Sequence, residues 1–239
     1  MKFAHPLTPG TLLRRYKRFL ADVRLENGET VVAHSPNTGS MLGVSTPGSR
    51  IWLLDHGPDT PRKTRYTWEL TELETGVCVG VNTGRSNALA REVIEAKRLP
   101  TLSGYERLLS EVRYGEERSR IDLLLQGDGL PDCYVEVKNV TAVDEAGLAL
   151  FPDAVTTRGQ KHMRELTYRV AAGDRAAVIF TIQRRDAHAF RPAWEIDPAY
   201  SELLRRAVEA GVEVYPLLFE ATPEGITFLR AVPLSMSAP

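Results

Sequence analysis

Ser119-Arg120-Ile121-Asp122-Leu123-Leu124-Leu125-Gln126-Gly127-Asp128-Gly129-Leu130-Pro131-Asp132-Cys133-Tyr134-Val135-Glu136-Val137-Lys138 sets two apolar runs on either side of a Gly/Pro/Asp loop. Such runs read as an antiparallel hairpin, with strands over Arg120 to Leu125 and Tyr134 to Val140. A turn centred on Gly129 sets Asp122 directly opposite Glu136, with Cβ atoms about 5 Å apart. Lys138 stands two residues beyond Glu136 and shares its face of the sheet. Both faces of the hairpin are apolar, and unpaired carboxylates are costly there. Asp122 and Glu136 are therefore candidate ligands for Mg²⁺ or Mn²⁺, a hard cation that takes carboxylate oxygens and keeps several waters. Lys138 would orient a water polarised by that ion for attack on a phosphodiester. The same spacing also suits a plain cross-strand ion cluster. Asp132, which completes a literal Pro-Asp…Glu-x-Lys string, lies four residues up the strand from Glu136. That is about 13 Å at strand rise, too far to share one ion.

Around this hairpin helix and strand alternate, which predicts an α/β domain with a mixed sheet. Ser86 is placed to cap a helix through Lys97, with Leu89, Val93 and Ala96 as its apolar stripe. Glu111 to Tyr114 reads as a strand, Thr157 to Ala171 as a helix, and Ala176 to Ile182 as a strand buried on both faces. A helix over Ser201 to Ala210, ended by Gly211, leads into a last strand over Val212 to Leu218. Gln160, Lys161 and His162 open the second helix, where polar groups and the helix N-terminus would face a phosphate. Glu111 reads as a solvated strand position or a further acidic ligand.

The first third reads as strands, and the domain boundary falls between residues 1–81 and 82–239. Phe19, Ala21, Val23 and Leu25 alternate with polar residues, and the same phase carried backwards turns Arg14, Tyr16 and Arg18 away from the core. Asn27-Gly28 predicts a type I′ turn into Thr30 to His34. Short strands follow at Arg50 to Leu54, around Tyr66, Trp68 and Leu70, and at Val77 to Val81, a spacing that favours a five-stranded OB-like barrel. Arg14, Arg15, Tyr16, Lys17 and Arg18, extended by Arg65, combine cations for phosphates with a ring on which a base can stack. The strings Asn37-Thr38-Gly39 and Asn82-Thr83-Gly84 are turns, and with Arg85 they also offer backbone N–H groups to phosphate.

Composition bounds the function classes. The chain has 239 residues, 43% of them apolar, with 30 Lys/Arg against 31 Asp/Glu. It therefore holds a core of real size and is neither a uniformly basic nucleic-acid coat nor a disordered chain. The first twenty residues nevertheless contain five basic side chains and no acid, a local patch for a polyanion. Cys78 and Cys133 make no disulfide framework or zinc cluster by spacing, and no apolar run approaches the ~20 residues needed to cross a bilayer. Together with the lack of a signal-like N-terminus, this predicts a protein of a reducing cytoplasm with no membrane partner.

Several long phrases resemble the sugar fermentation stimulation protein (SfsA) family. They are Arg15-Tyr16-Lys17-Arg18-Phe19-Leu20-Ala21-Asp22, Asn37-Thr38-Gly39-Ser40-Met41 and Val81-Asn82-Thr83-Gly84-Arg85-Ser86-Asn87, then Tyr134-Val135-Glu136-Val137-Lys138-Asn139-Val140-Thr141 and Phe151-Pro152-Asp153-Ala154-Val155-Thr156. The resemblance implies an OB-like barrel joined to a restriction-endonuclease-like domain of the PD-(D/E)xK superfamily, sequence-nonspecific DNA binding in a prokaryotic cytoplasm, and a link to sugar (maltose) utilisation. In that superfamily's pattern Asp122 and Glu136 match the metal carboxylates and Lys138 the catalytic lysine. The family's usual cysteine after His34 is Ser35 here, which argues against a thiol role at that position. Two functions follow: a DNA-binding protein with a Mg²⁺-dependent nuclease site, or a non-catalytic DNA-binding regulator whose nuclease-like domain is a scaffold.

Overall fold

The structure is a computed structural model that describes residues 1–117 and 119–237. Its N-terminal part is a closed five-stranded barrel. Strands β1 (Thr8–Tyr16), β2 (Leu20–Leu25) and β3 (Thr30–His34) form a meander, and β4 (Arg50–Asp55) pairs with β1 and with β5 (Tyr66–Glu72). A parallel pairing of β3 with β5 closes the ring. Leu12, Val23, Ile51, Leu53 and Trp68 fill it. Full closure removes exposed sheet edges, which a small barrel otherwise carries as a liability.

Three local expectations for the barrel are corrected. The basic run is not one strand with Phe19 in the core: the chain reverses at residues 17–19, pairing Tyr16 with Leu20, and leaves Phe19 48% exposed. Leu25 pairs with Glu29 across a loop in which Gly28 takes a φ of +88° and Asn27 does not turn left-handed, so the expected type I′ turn is a longer one. Strand β5 does not alternate; it is buried on both faces, because Glu69 on its outer side is covered by Asn82 and Arg85.

A second sheet continues the first. β6 (Cys78–Gly80) pairs with β5 on one side and, through Cys78 and Ala221, with the strand β14 (Glu213–Thr222) on the other. Between them the chain forms α1 (Ser86–Glu95), β7 (Arg107–Tyr114), β8 (Ser119–Gln126), β9 (Cys133–Val140), β10 (Ala142–Val143), β11 (Leu148–Phe151), α2 (Thr157–Ala171), β12 (Arg175–Ile182), β13 (Ala189–Pro192) and α3 (Pro198–Glu209), and β15 (Gly225–Ala231) follows β14. The central order is β14-β12-β9-β8-β7, parallel among β14, β12 and β9 and antiparallel from β9 to β7. Alternate residues serve opposite faces: Val135, Val137, Ala177 and Ile179 pack with Leu89, Val93 and Ile94 of α1. Tyr134, Ala176, Val178 and Phe180 pack with Met163, Leu166, Tyr200 and Leu204 of α2 and α3. The helix expected to reach Lys97 ends at Glu95, with Lys97 left-handed just beyond (φ +54°).

Candidate functional site

Strands β8 and β9 pair Leu123 with Val135, Leu124 with Tyr134 and Leu125 with Cys133, the register expected of a turn centred on Gly129. Beyond Leu123 the two strands part, while β9 stays paired with β12 as far as Val140. Asp122 stands at the fork, and its Oδ2 accepts the Val137 N–H at 2.7 Å in place of a ladder bond. Its Oδ1 accepts from the Asn87 amide of α1 at 3.0 Å. The fork opens into a cleft of about 460 Å³ that Asp122, Glu136 and Lys138 line together.

Glu136 is only 2% exposed, and two groups share its Oε1: the Lys138 ammonium at 2.6 Å and His162 Nδ1. Arg158 Nε lies 3.5 Å from His162 Nε2, while Nδ1 of the same ring faces Glu136. Among the described residues Oε2 of Glu136 has no partner, although it is buried. Burial alone would raise the Glu136 carboxyl, but the Lys138 charge and the His162 hydrogen bond outweigh it and hold it below the usual range. Asp122 moves the other way. Burial, reinforced by the Glu136 charge, pushes it up to about 6 against the Val137 N–H, Asn87 and Lys138. Two neighbouring carboxylates are thus shifted in opposite directions, a pattern typical of functional sites.

A divalent cation fits this donor set. Glu136 Oε2 is an orphaned buried oxygen, and Asp122, though hydrogen-bonded, keeps lone pairs for a further partner. Among the described residues no group of three or more His, Cys, Asp or Glu is arranged to hold a metal ion, so an ion bound here would draw on these two carboxylates, with backbone or water completing its shell.

The polar residues predicted around this centre separate. His162 does reach it, but three consecutive helical positions spread around α2, so Gln160 turns to the Asp197 carboxylate (3.1 Å) and Lys161 to the Glu117 carbonyl. Arg158, one turn before His162 on the same face, lines the cleft instead. Glu111 is exposed and pairs with Arg120 at 3.4 Å, a solvated strand position. On the barrel, Arg14 reaches Asp22 at 2.7 Å and lies over one face of the Tyr16 ring at 5.0 Å. Arg15 turns inward and donates to the carbonyls of Arg18 (2.8 Å), Asn37 (2.8 Å) and Gly39 (2.9 Å). Arg65 pairs with Asp55 at 2.5 Å, and Arg85 with the buried Glu69 at 2.7 Å. Of the basic run, Lys17 and Arg18 are the exposed tip, and Arg18 lines the cleft.

Both Asn-Thr-Gly strings also meet at this cleft. In each, the Asn side chain accepts the N–H two residues on, at 2.8 Å for Asn37 and 3.0 Å for Asn82. The Thr83 hydroxyl donates to the Pro36 carbonyl at 3.2 Å and joins the two turns. Asp153 fastens the barrel turn to the second part, accepting the Met41 N–H at 2.8 Å and the Ser40 hydroxyl on its carbonyl at 2.5 Å.

Comparison with known proteins follows the same division. A family model described as the SfsA N-terminal OB domain matches residues 13–81, and one described as the sugar fermentation stimulation protein RE domain matches residues 84–225. The sugar fermentation stimulation protein homologs of Thioalkalivibrio sulfidiphilus (51% identity, 99% of each chain) and Geobacter metallireducens (52%, 98% of this chain and 99% of the relative) are similar along almost the whole length. The chain belongs to the sugar fermentation stimulation protein family. The structure of Pyrococcus furiosus SfsA in complex with Ca²⁺ matches with a TM-score of 0.87 at 30% identity, covering 98% of both chains.

Within this family fold, sequence reasoning left Asn87, Asn139, Asp153 and Arg158 without roles. Asn139 joins Ser86, Thr181 and Gln183 in a hydrogen-bonded group behind the cleft, in which Ser86 serves as a network hydroxyl rather than a helix cap. The repeated Asn-Thr-Gly string was the available signal for two of the cleft walls.

Proposed function

We propose that this protein binds nucleic acid, DNA in the first place and without sequence preference, and hydrolyses it at a divalent-cation-dependent phosphodiesterase site formed by Asp122, Glu136 and Lys138. The observation that carries this reading is Glu136: a buried carboxylate with one oxygen held by Lys138 and His162 and the other unpartnered, beside Asp122 in one cleft. An unpaired buried carboxylate oxygen is costly unless a cation takes it. The Ca²⁺ in the Pyrococcus furiosus relative supports a divalent ion, and Mg²⁺ or Mn²⁺ is the form proposed for hydrolysis.

When bound, such an ion neutralises the carboxylates, polarises the phosphodiester and makes water a better nucleophile. The chain's own groups do the rest. Asn87 and the Val137 N–H fix the Asp122 carboxylate, and His162, backed by Arg158, fixes Glu136. Lys138 holds a proton within reach of the cleft and can orient water or offset charge on the phosphate. Lys17, Arg18 and Arg158 set cations at the surface where a backbone would arrive. The free Cys78 and Cys133 suit a reducing cytoplasm, and among the described residues no helix is long and apolar enough to cross a membrane. A part in sugar utilisation enters through the family's name.

The test is a cleavage screen with Mn²⁺ and Mg²⁺ across single- and double-stranded DNA and RNA, run beside Lys138→Ala and Asp122→Asn. Cleavage by the wild type that both variants lose supports the site. Activity surviving Lys138→Ala marks a contaminant. Binding without any cleavage reduces the protein to the non-catalytic regulator. Calorimetry supplies the second readout: Glu136→Ala abolishes Mn²⁺ binding if this carboxylate is a ligand.

A further inference from the structure

The tight turn at the tip of the β1–β2 hairpin needs left-handed backbone, and it places long cationic side chains there instead of glycine or asparagine. Lys17 and Arg18 both adopt left-handed backbone (φ +49° and +66°), where a side chain costs energy and glycine is the ordinary choice. The tip is nevertheless held firmly, since the Phe19 carbonyl accepts the Ser35 N–H at 2.9 Å and the Arg18 carbonyl accepts from Arg15 at 2.8 Å. Its three side chains are exposed: two cations, and a phenyl ring 48% exposed to solvent. Strained backbone presenting exposed groups beside a cleft points to use of those groups.

The tip borders the site already described. Arg18 lines the cleft together with Lys138 and Arg158, and on the other part of the molecule Val155, 69% exposed, lines it too. Within the cleft Glu136 is 2% exposed and the Lys138 side chain 13%, behind a wall made by Asn37, Thr38 and Gly39 of the barrel. A backbone reaching those groups has to enter the cleft, which suits one flexible strand and not a rigid duplex.

We propose that the tip grips an unpaired strand, Phe19 stacking on a base while Lys17 and Arg18 take the flanking phosphates. The substrate class is then single-stranded or frayed nucleic acid rather than intact duplex. The physical reason is access: base faces are covered by their neighbours in a duplex and open only in an unpaired strand, where ring stacking works on any base. Tyr16, the other ring near the tip, is partly buried, with Arg14 over one face and its hydroxyl bonded to Asp22, so the stacking role falls to the more exposed Phe19. This inference rests on the nucleic-acid reading above.

The experiment measures binding of a labelled oligothymidylate and of a duplex of equal length, in chelator to prevent cleavage, by fluorescence anisotropy over a salt series. The single strand is expected to bind more tightly. Phe19→Ala should weaken that binding about tenfold, at the lower end of what loss of a stacking ring costs, with little effect on the duplex. Phe19→Trp should restore it, with indole fluorescence quenched on binding, while Phe19→Leu should not. Arg18→Ala should instead lower the salt slope by about 0.7 on the single strand. Since Phe19 is exposed, unchanged melting temperatures will show that the variants fold. If Phe19→Ala leaves single-strand affinity intact, or weakens both substrates equally, the stacking tip is wrong while nucleic-acid binding stands. If the wild type binds neither probe, the functional reading fails and this inference with it.

Discussion

Burial and the nearby Glu136 charge raise the Asp122 carboxyl to about 6, against 3.8 for an ordinary aspartate. In metal-free protein the folded state then holds this proton more tightly than the unfolded chain does. Stability therefore falls as pH rises from about 4 to about 6, and the penalty persists at neutral pH. Asp122→Asn removes the charge, while its carbonyl can still accept the Val137 N–H and Asn87 can flip to suit the new amide. At about 1.4 kcal/mol per pKa unit, this variant is expected to be up to ~3 kcal/mol more stable than wild type in chelator at pH 7, with a flatter profile between about pH 4 and 6. Denaturant titrations across that range check it, and a variant less stable than wild type at neutral pH would contradict the raised carboxyl. Metal binding and cleavage should be lost in the same variant, the trade expected where a site stores unfavourable charge.

At the scale of elements, the basic segment divides into structural and exposed cations. Arg15 crosses from β1 to hold three carbonyls of the tip and of residues 37–39, so Arg15→Ala should cost about 1–2 kcal/mol and lower the melting temperature. Lys17→Ala should leave the melting temperature unchanged and reduce the salt dependence of single-stranded DNA binding by a slope of about 0.7. The opposite assignment, a stable Arg15→Ala with a shallower salt slope, would return Arg15 to the interface. This distinction was not legible beforehand. Composition and alternation placed five polar or charged groups on one stretch, but whether a guanidinium faces solvent or a row of carbonyls depends on a loop more than twenty residues away. The hairpin carrying Asp122 and Glu136 was legible, because its register is local: the turn and the two apolar runs are contiguous, and the turn fixes which residues pair.

Across the whole molecule, the barrel and the α/β sheet are joined through β6 and again at the cleft. Gly39 is packed against Asp153 so closely that a Cβ would stand 2.6 Å from its carboxylate oxygen. Gly39→Ala is therefore expected to push the barrel turn off Asp153, lower the melting temperature and impair cleavage with Asp122, Glu136 and Lys138 all intact. Unchanged activity would show that the turn does not shape the site. Because β6 belongs to both sheets and Thr83 and Asp153 tie the turns together, calorimetry should show one cooperative transition. Two resolved transitions would mean that the parts melt independently.

Short-range pattern alone determined the strand-rich first third, the helices α2 and α3, and the hairpin register that brings Asp122, Glu136 and Lys138 to one cleft, because hydrophobic period and turn chemistry act over a few residues. Tertiary structure alone decided which cations are exposed, that Phe19 lies outside the core, that His162 secures Glu136 while Gln160 and Lys161 do not, and that two distant Asn-Thr-Gly turns wall one cleft. Those outcomes depend on which groups meet across the fold, and the cost of leaving a buried polar atom unpaired is settled only when the whole chain has closed around it.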